Sequence, residues 1–266
     1  MTTVRDLLAV AEGAVDTASH LIRRTAVGQV EAKGERDMVT NVDRAVEERI
    51  RAFLARETPE IGFFGEEGGQ AGRATAPLQW VLDPVDGTAN LAHRIPLCAV
   101  SLGLMRADEA ILGVIDLPFL GERYQAARGL GATANGQRLQ VRPNSDLGEA
   151  IVGLGDYAVG EQAAERNEQR LALTQLLAAK VLRIRMLGSA AIDLAWVASG
   201  QMDACVALSN HLWDVAAGVA IAREAGAAVI DVDGTRHTPS SRATIAVTPG
   251  LERAFAELLN PLRDTA

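Results

Sequence analysis

The first half of the chain contains two long amphipathic segments followed by short apolar runs. Apolar residues at near-helical spacing between residues 4 and 27 predict a first helix, which Gly28 ends. After a polar connection at 31–36, the same spacing predicts a second helix that ends before Pro59. Strands are predicted at 61–64, 80–82, 99–104, 110–115 and 122–126, with a hairpin turn at Asn135-Gly136. This half is therefore predicted to pack a helix pair against an antiparallel sheet.

The second half alternates more regularly between the two kinds of element. Strands are predicted at 150–154, 181–185, 203–207, 227–230 and 243–247. Helices are predicted between or after them, at 161–178, 189–199, 214–225 and 250–259. Such alternation is typical of an α/β fold. With 266 residues, no internal repeat and no low-complexity linker, the chain is compatible with one large domain or two closely joined halves.

Composition and charge argue against several classes of protein. With 48% hydrophobic residues the chain can bury a large core, but no apolar run approaches the ~20 residues of a transmembrane helix. The N-terminus lacks the basic and apolar regions of a secretory signal, so a cytoplasmic protein is expected. A net charge of −8, spread along the chain, argues against a nucleic-acid-binding surface. Cys98 and Cys205 lie among apolar neighbours and are expected to be buried and reduced, and four dispersed histidines argue against a zinc site.

The stretch from Trp80 to Leu91 combines a strand end, two acids and a tight turn. Its first three residues are apolar and typical of a buried strand end. Pro84 fixes its own φ and biases Asp83 toward extended backbone, so the strand is predicted to stop and turn there. Gly87 then permits a bend before a short segment with the makings of a helix, which Pro96 limits.

Two chemical interpretations of this stretch are open. Asp83 and Asp86 carry hard oxygen ligands suited to Mg²⁺, and the first N–H groups of the following helix can receive a phosphate. Alternatively, the acids cap a turn, with Asp86 as the helix N-cap and Gly87 as the turn residue. Each acid taken alone favours the cap, whereas the run as a whole favours the metal and phosphate interpretation.

Other candidate residues have ordinary structural alternatives. Asp43 and Thr40 fit the first turn and N-cap of the second helix. Glu66 lies in a Gly-rich loop, where acids are usually solvated. Asp214 begins an Ala/Gly-rich helix and is there a favourable partner for the helix dipole, and Ser189 fits a helix N-cap.

Three motifs together resemble the inositol monophosphatase family, the lithium-sensitive, Mg²⁺-dependent phosphatases. They occur in the family's order over nearly the whole chain: Gly65-Glu66-Glu67, Asp83-Pro84-Val85-Asp86-Gly87-Thr88 and Trp213-Asp214-Val215-Ala216-Ala217-Gly218. The resemblance implies an α/β (α+β) fold, the layered α/β/α/β/α sandwich of the sugar-phosphatase type. It also implies a single domain over 1–266, whose N-terminal half (about 1–145) and C-terminal half (about 146–266) share one active site.

The resemblance further implies hydrolysis of a phosphate monoester by Mg²⁺-activated water. Glu66, Asp83 and the Val85 carbonyl are expected to hold one ion, and Asp83, Asp86 and Asp214 a second; a third ion beside Glu66 would be held mostly by water. Asp43 is expected to polarise the Thr88 hydroxyl, so that the catalytic residues are Asp43, Thr88 and Glu66. The residues expected to bind substrate are Asp86, Gly87, Thr88, Ser189, Ala190 and Asp214.

One position departs from the family's pattern. Animal and enterobacterial inositol phosphatases carry a glutamate seven residues before the position of Asp214, where this chain has Ala207. A methyl group cannot accept hydrogen bonds from a polyol, although Asn210 or His211 could supply a replacement. The expected substrate, a small phosphorylated alcohol, is myo-inositol 1-phosphate; histidinol phosphate, a nucleotide 3′-phosphate and fructose 1,6-bisphosphate are alternatives.

Two further expectations concern activity and assembly. A non-catalytic binding or regulatory module is disfavoured because all the acids of the two-metal set are present, namely Asp43, Glu66, Asp83, Asp86 and Asp214. The resemblance implies a homodimer, with no nucleic-acid or membrane partner.

Overall fold

The protein stacks its helices and sheets in five layers. The computed structural model describes residues 3–25, 27–28, 30–34, 37–72, 76–208 and 210–260. The outer layer on one side is a helix pair, α1 (Val4–Arg24) and α2 (Asn41–Glu57). A hairpin of β1 (Val30–Gly34) and β2 (Asp37–Thr40) connects the two helices where the sequence predicted only a polar segment.

The second layer is an eight-stranded sheet in the order β10-β9-β8-β7-β6-β5-β3-β4. All its neighbouring strands are antiparallel except β3 and β5, which are parallel. A short helix, α3 (Thr88–Ala92), lies between β5 and β6. The strands are β3 (Gly62–Gly65), β4 (Gly69–Ala71), β5 (Leu78–Asp86), β6 (Ala99–Arg106), β7 (Glu109–Leu117), β8 (Glu122–Ala127), β9 (Gly131–Ala134) and β10 (Gln137–Arg138).

The remaining layers come from the second half of the chain. Its five-stranded sheet has the order β12-β11-β13-β15-β14, in which β11 is parallel to both its neighbours and β15 is antiparallel to both of its own. The strands are β11 (Ile151–Leu154), β12 (Arg183–Arg185), β13 (Ala204–Ala207), β14 (Ala228–Ile230) and β15 (Thr244–Val247). The helices are α4 (Ala163–Ala178), α5 (Ala190–Ala198), α6 (Leu212–Glu224) and α7 (Glu252–Leu258).

Helices α5 and α6 form the central layer, packed between the two sheets. Their buried residues contact the large sheet through a cluster that includes Ile192 and Ala217, and the small sheet through Val219. Small residues on both sides, Gly113 of β7 and Ala217 of α6, let the helix backbone lie directly on the sheet. Helices α4 and α7 cover the other face of the small sheet. This is the five-layered sandwich that the resemblance implied.

The elements predicted from periodicity are present, with ends shifted by a few residues. Both cysteines are buried and unpaired, as expected. No helix within the described residues is long and apolar enough to cross a membrane.

Candidate active site

Every acid predicted to bind metal lines one cavity of about 250 Å³. The cavity lies where the end of β5 meets the first turns of α5 and α6 and the ends of β11 and β13. Its described lining contains six carboxylates and no Lys, Arg or His side chain. The lining residues are Glu66, Asp83, Val85, Asp86, Gly87, Thr88, Gly155, Asp156, Gly188, Ser189, Ala190, Asp193, Ala207 and Asp214.

Strand β5 carries both acids of the central motif because it does not stop at Pro84. The prediction of a turn there was wrong: the strand continues to Asp86, and its pairing with β6 shifts register between Asp83 and Asp86. Such a bulge tolerates proline because the ladder is locally interrupted and needs no N–H donor at that position. The Asp83 carboxylate accepts a hydrogen bond from the Val85 N–H at 3.0 Å, which stabilises the bulge. Both acids therefore reach the cavity from one buried strand.

Gly87 turns the chain from β5 into α3. It has a φ of 91° and is the N-cap of the helix, so Asp86 is not the cap. A side chain here would also collide, since a Cβ on Gly87 would lie 2.8 Å from the Leu97 carbonyl oxygen. The first-turn N–H groups of α3, beginning with that of Thr88, lie beside the cavity and are not used in the helix.

Asp43 joins the start of α2 to Thr88. One carboxylate oxygen, Oδ2, accepts from the N–H of Thr40 and from its hydroxyl, so the predicted N-cap at Thr40 is part of a capping box. The other oxygen, Oδ1, accepts from Thr88 Oγ1 at 2.9 Å, and the same hydroxyl lies 3.0 Å from the Val85 carbonyl oxygen. Asp43 is fully buried. The cap and the contact with Thr88 therefore coexist in one side chain.

The loop carrying Glu66 is held by an acid that the sequence analysis missed. Glu47 of α2 is buried, and its carboxylate accepts from the N–H of Glu67 at 2.9 Å and of Gly68 at 2.6 Å. A Cβ on Gly65 would lie 2.4 Å from Glu47 Oε2, which explains the glycine at that position. The available signal was that Asp43 and Glu47 are four residues apart, on one buried helix face.

Asp86 is tied to the start of α5. Its Oδ2 accepts from Ser189 Oγ at 2.7 Å and from the Ala191 N–H at 2.5 Å. Ser189 Oγ also accepts from the Ile192 N–H, so this residue is both the N-cap of α5 and a partner of Asp86. Burial raises the pKa of Asp86 to about 6, although these two donors oppose the rise.

The acids in the cavity repel one another. Burial, followed by the charges of Asp86, Glu66 and Asp214, raises the pKa of Asp83 well above its ordinary value. Asp214 is partly buried in the first turn of α6, as predicted. Within the described ranges, however, no three His, Cys, Asp or Glu side chains stand close enough to form a metal centre as they are. The predicted ligands line one cavity, but their side chains are not arranged around a common coordination point.

A larger cavity lies elsewhere in the protein. It measures about 450 Å³, is mostly apolar, and is lined by the end of α1, by residues 27, 28 and 30, and by the region around Leu91 and Pro96. No acid lines it in the described part of the chain, so we place the candidate site in the smaller, acidic cavity.

Two further acids of the cavity were not singled out from the sequence. Asp193 of α5 is buried, and its pKa is raised well above normal by burial and then by the charges of Asp86 and Asp156. Asp156 follows the end of β11. Neither acid belongs to a motif, and only the layering of α5 against the small sheet brings both to the cavity.

The residues considered as replacements for the missing glutamate have other contacts. Asn210 Nδ2 lies within hydrogen-bond distance of three backbone carbonyls, those of Thr238, Pro239 and Ser241. The ring of His211 stacks on Trp213, with centroids 5.1 Å apart. Neither residue lines the cavity.

Comparisons with known proteins agree with the fold. Residues 3–266 match the model of the Inositol monophosphatase family. The chain is 38% identical over 229 residues to an inositol-1-monophosphatase of Mesorhizobium japonicum, covering 85% of this chain and 84% of that protein. It is 36% identical over 197 residues to a fructose-1,6-bisphosphatase/inositol-1-monophosphatase of Aquifex aeolicus, covering 74% and 73% of the two chains.

A solved structure agrees as well. The crystal structure of the extragenic suppressor protein suhB from Bartonella henselae superposes with a TM-score of 0.88 at 30% identity, covering 95% of this chain and 98% of that one. The chain therefore belongs to the inositol monophosphatase family and is a phosphoric monoester hydrolase.

Proposed function

We propose that the protein is a Mg²⁺-dependent phosphatase that hydrolyses myo-inositol 1-phosphate to myo-inositol and phosphate. The observation that carries this proposal is the charge of the cavity. Six carboxylates and no basic side chain line it in the described structure, so a phosphate dianion would be repelled unless cations entered with it. A phosphatase site of this composition requires a metal partner.

The acids fit Mg²⁺ in type and in charge. All are hard oxygen ligands, and a bound cation would remove the repulsion that raises the pKa of Asp83. Glu66, Asp83 and the Val85 carbonyl would hold one ion, and Asp83, Asp86 and Asp214 another. When bound, Mg²⁺ supplies positive charge that acidifies the attacking water and neutralises the departing alcohol oxygen.

The remaining chemistry falls to two residues and the helix start. Because Asp43 Oδ1 accepts the Thr88 hydroxyl proton, the Thr88 oxygen keeps a lone pair for a proton of the attacking water. The N–H groups of Gly87 and Thr88 would donate to the phosphate as negative charge builds on it. Ser189, Ala190 and Asp214, which line the same cavity, would contact the alcohol.

Two observations favour a second candidate substrate. The Aquifex aeolicus relative is named as a bisphosphatase as well as a monophosphatase, and Ala207 lines the cavity where the family resemblance implies a glutamate. Fructose 1,6-bisphosphate is therefore the alternative.

The proposal is tested by Mg²⁺-dependent phosphate release from a panel of esters. The panel comprises inositol 1-phosphate, fructose 1,6-bisphosphate, histidinol phosphate and adenosine 3′,5′-bisphosphate, with Asp83→Asn as the inactive control. The highest kcat/KM is expected for inositol 1-phosphate. A higher value for another ester would show that inositol 1-phosphate is not the preferred substrate, while the phosphatase chemistry would stand. Turnover that persists in EDTA would contradict the requirement for Mg²⁺.

We also propose that the protein acts as a cytoplasmic homodimer, on the strength of its family. Light scattering on the purified protein should give twice the mass of one chain. The mass of a single chain would contradict the dimer.

A further inference from the structure

One wall of the acidic cavity is built from the neighbouring ends of β11 and β13. Leu154 pairs in parallel with Val206, and the Gly155 N–H donates to the Val206 carbonyl at 2.9 Å. A Cβ placed on Gly155 would lie 3.5 Å from the Cα of Ala207. The residue after Gly155 is Asp156, so a carboxylate follows on the strand directly beside the one that ends in alanine.

The backbone of Asp156 is fixed by a buried arginine. Arg170 of α4 donates from Nε to the Asp156 carbonyl at 3.2 Å and from Nη2 to the Leu208 carbonyl at 3.0 Å. One guanidinium therefore clamps together the loops that follow β11 and β13. Tyr157 adds a second tie to α4, since its hydroxyl lies 3.1 Å from Thr174 Oγ1. The position of Asp156 is set by the fold although the residue itself is exposed.

The carboxylate of Asp156 is available to a ligand. It lines the cavity, and within the described chain no hydrogen bond or ion pair engages it. Asp193 lines the same cavity and is 5% exposed, and its Oδ1 has no hydrogen-bond partner among the described residues. The Asp156 carboxylate therefore offers free acceptors, which suits a ligand rich in hydroxyl groups.

We propose that Asp156 determines specificity for the alcohol by accepting hydrogen bonds from polyol hydroxyls, in place of a carboxylate at position 207. Asn210 and His211, the alternatives from sequence, are engaged in other contacts. The assignment rests on the proposed phosphatase function and deepens it. The ligand it selects is a phosphorylated polyol with hydroxyl groups close to the ester.

The test compares two substrates that share the phosphate and differ in the alcohol. Inositol 1-phosphate carries hydroxyls and phenyl phosphate carries none. Asp156→Ala should lower kcat/KM for inositol 1-phosphate by about 10- to 100-fold, the usual effect of losing a charged hydrogen-bond acceptor, and should lower that for phenyl phosphate far less. Glu161→Ala, which removes an exposed acid of the same loop that does not line the cavity, should leave both values unchanged.

A rescue experiment separates recognition from damage to the fold. The double variant with Asp156→Ala and Ala207→Glu should recover selectivity for inositol 1-phosphate, because a carboxylate returns to the same wall. Two outcomes overturn this inference and leave the proposed phosphatase function intact. One is a ratio of kcat/KM for the two substrates that Asp156→Ala leaves unchanged. The other is a double variant that has wild-type thermal stability but does not recover the selectivity for inositol 1-phosphate. A wild-type protein inactive on inositol 1-phosphate overturns both proposals. If Asp156→Ala impairs histidinol phosphate and not inositol 1-phosphate, the carboxylate recognises an ammonium group and the polyol assignment is wrong.

Discussion

The hydroxyl of Thr88 lies 2.9 Å from Oδ1 of Asp43, joining the first turn of α3 to the first turn of α2. The second oxygen of Asp43 is saturated by Thr40, which caps α2. The two oxygens thus have separate partners, one structural and one directed at the cavity. A residue whose position in the sequence fits a helix cap, and whose family resemblance implies catalysis, can therefore serve both.

Removing the Thr88 hydroxyl should affect turnover more than binding. Thr88→Ala should lower kcat by at least about 100-fold, the range of a lost proton-transfer group, with a much smaller rise in KM. Thr88→Ser keeps the hydroxyl and should retain most of the activity. Steady-state kinetics on inositol 1-phosphate distinguish the outcomes; an effect of Thr88→Ala on KM alone would make Thr88 a binding residue only.

Neutralising Asp83 should abolish Mg²⁺-dependent turnover without unfolding the protein. Asparagine keeps the acceptor for the Val85 N–H and removes a charge that burial and three neighbouring acids disfavour. The metal-free Tm of Asp83→Asn should therefore equal or exceed that of the wild type. Added Mg²⁺ should raise the wild-type Tm by several degrees and leave the variant unchanged.

The matched control for that experiment is Asp108→Asn, which removes the same charge from an exposed turn between β6 and β7. It should keep both the turnover and the Mg²⁺-induced rise in Tm. An Asp83→Asn variant that retains either property would exclude Asp83 as a metal ligand.

Periodicity along the chain was sufficient to predict the helices and most strands. The prediction failed at Pro84. Proline was expected to end the strand, but a bulge in the pairing of β5 with β6 lets the strand continue. The error at Pro84 arises because strand pairing depends on a partner strand outside the local run. Periodicity also missed the hairpin of β1 and β2, whose sequence is too polar to show a buried face.

Motifs predicted the acids of the cavity but not the residues that hold them. Asp83, Asp86 and Thr88 lie within one local run, so their proximity follows from the chain itself. Glu47 accepts a hydrogen bond from the backbone of the Glu66 loop, twenty residues later in the chain. Arg170 of α4 donates to the backbone carbonyl of Asp156. Contacts of this kind have no local signature, because they exist only once the layers are packed.

Weakening the hydrogen bonds between Glu47 and the Glu66 loop should raise the Mg²⁺ concentration that the enzyme needs. In Glu47→Gln one carboxylate oxygen becomes an NH₂ group, which cannot accept the hydrogen bond of a loop N–H. The Mg²⁺ concentration for half-maximal activity should rise by about 10-fold or more, as for other residues that orient a metal ligand. Activity measured across a Mg²⁺ titration reports this.

Glu48→Gln is the control for the Glu47 variant because it changes the adjacent, exposed acid of the same helix. Its Mg²⁺ titration should match that of the wild type. If Glu47→Gln loses thermal stability but keeps the wild-type Mg²⁺ dependence, Glu47 supports the fold and does not position Glu66.

The buried imidazole of His237 should make the fold less stable in mild acid. Its Nε2 lies 3.0 Å from Asn210 Oδ1 and 2.9 Å from Thr244 Oγ1, and burial lowers its pKa from 6.5 to about 4. Between these pH values the unfolded chain binds a proton that the folded protein does not. The contribution of neutral His237 to the free energy of unfolding is therefore fully present above pH 6.5 and is lost as the pH falls toward 4. The loss is on the order of 2–3 kcal/mol. Urea unfolding of the wild type and His237→Gln from pH 4 to 8 measures it, and the glutamine variant should lack this component. Parallel pH profiles for the two proteins would show that His237 has the same pKa in the folded and unfolded states, which contradicts the prediction.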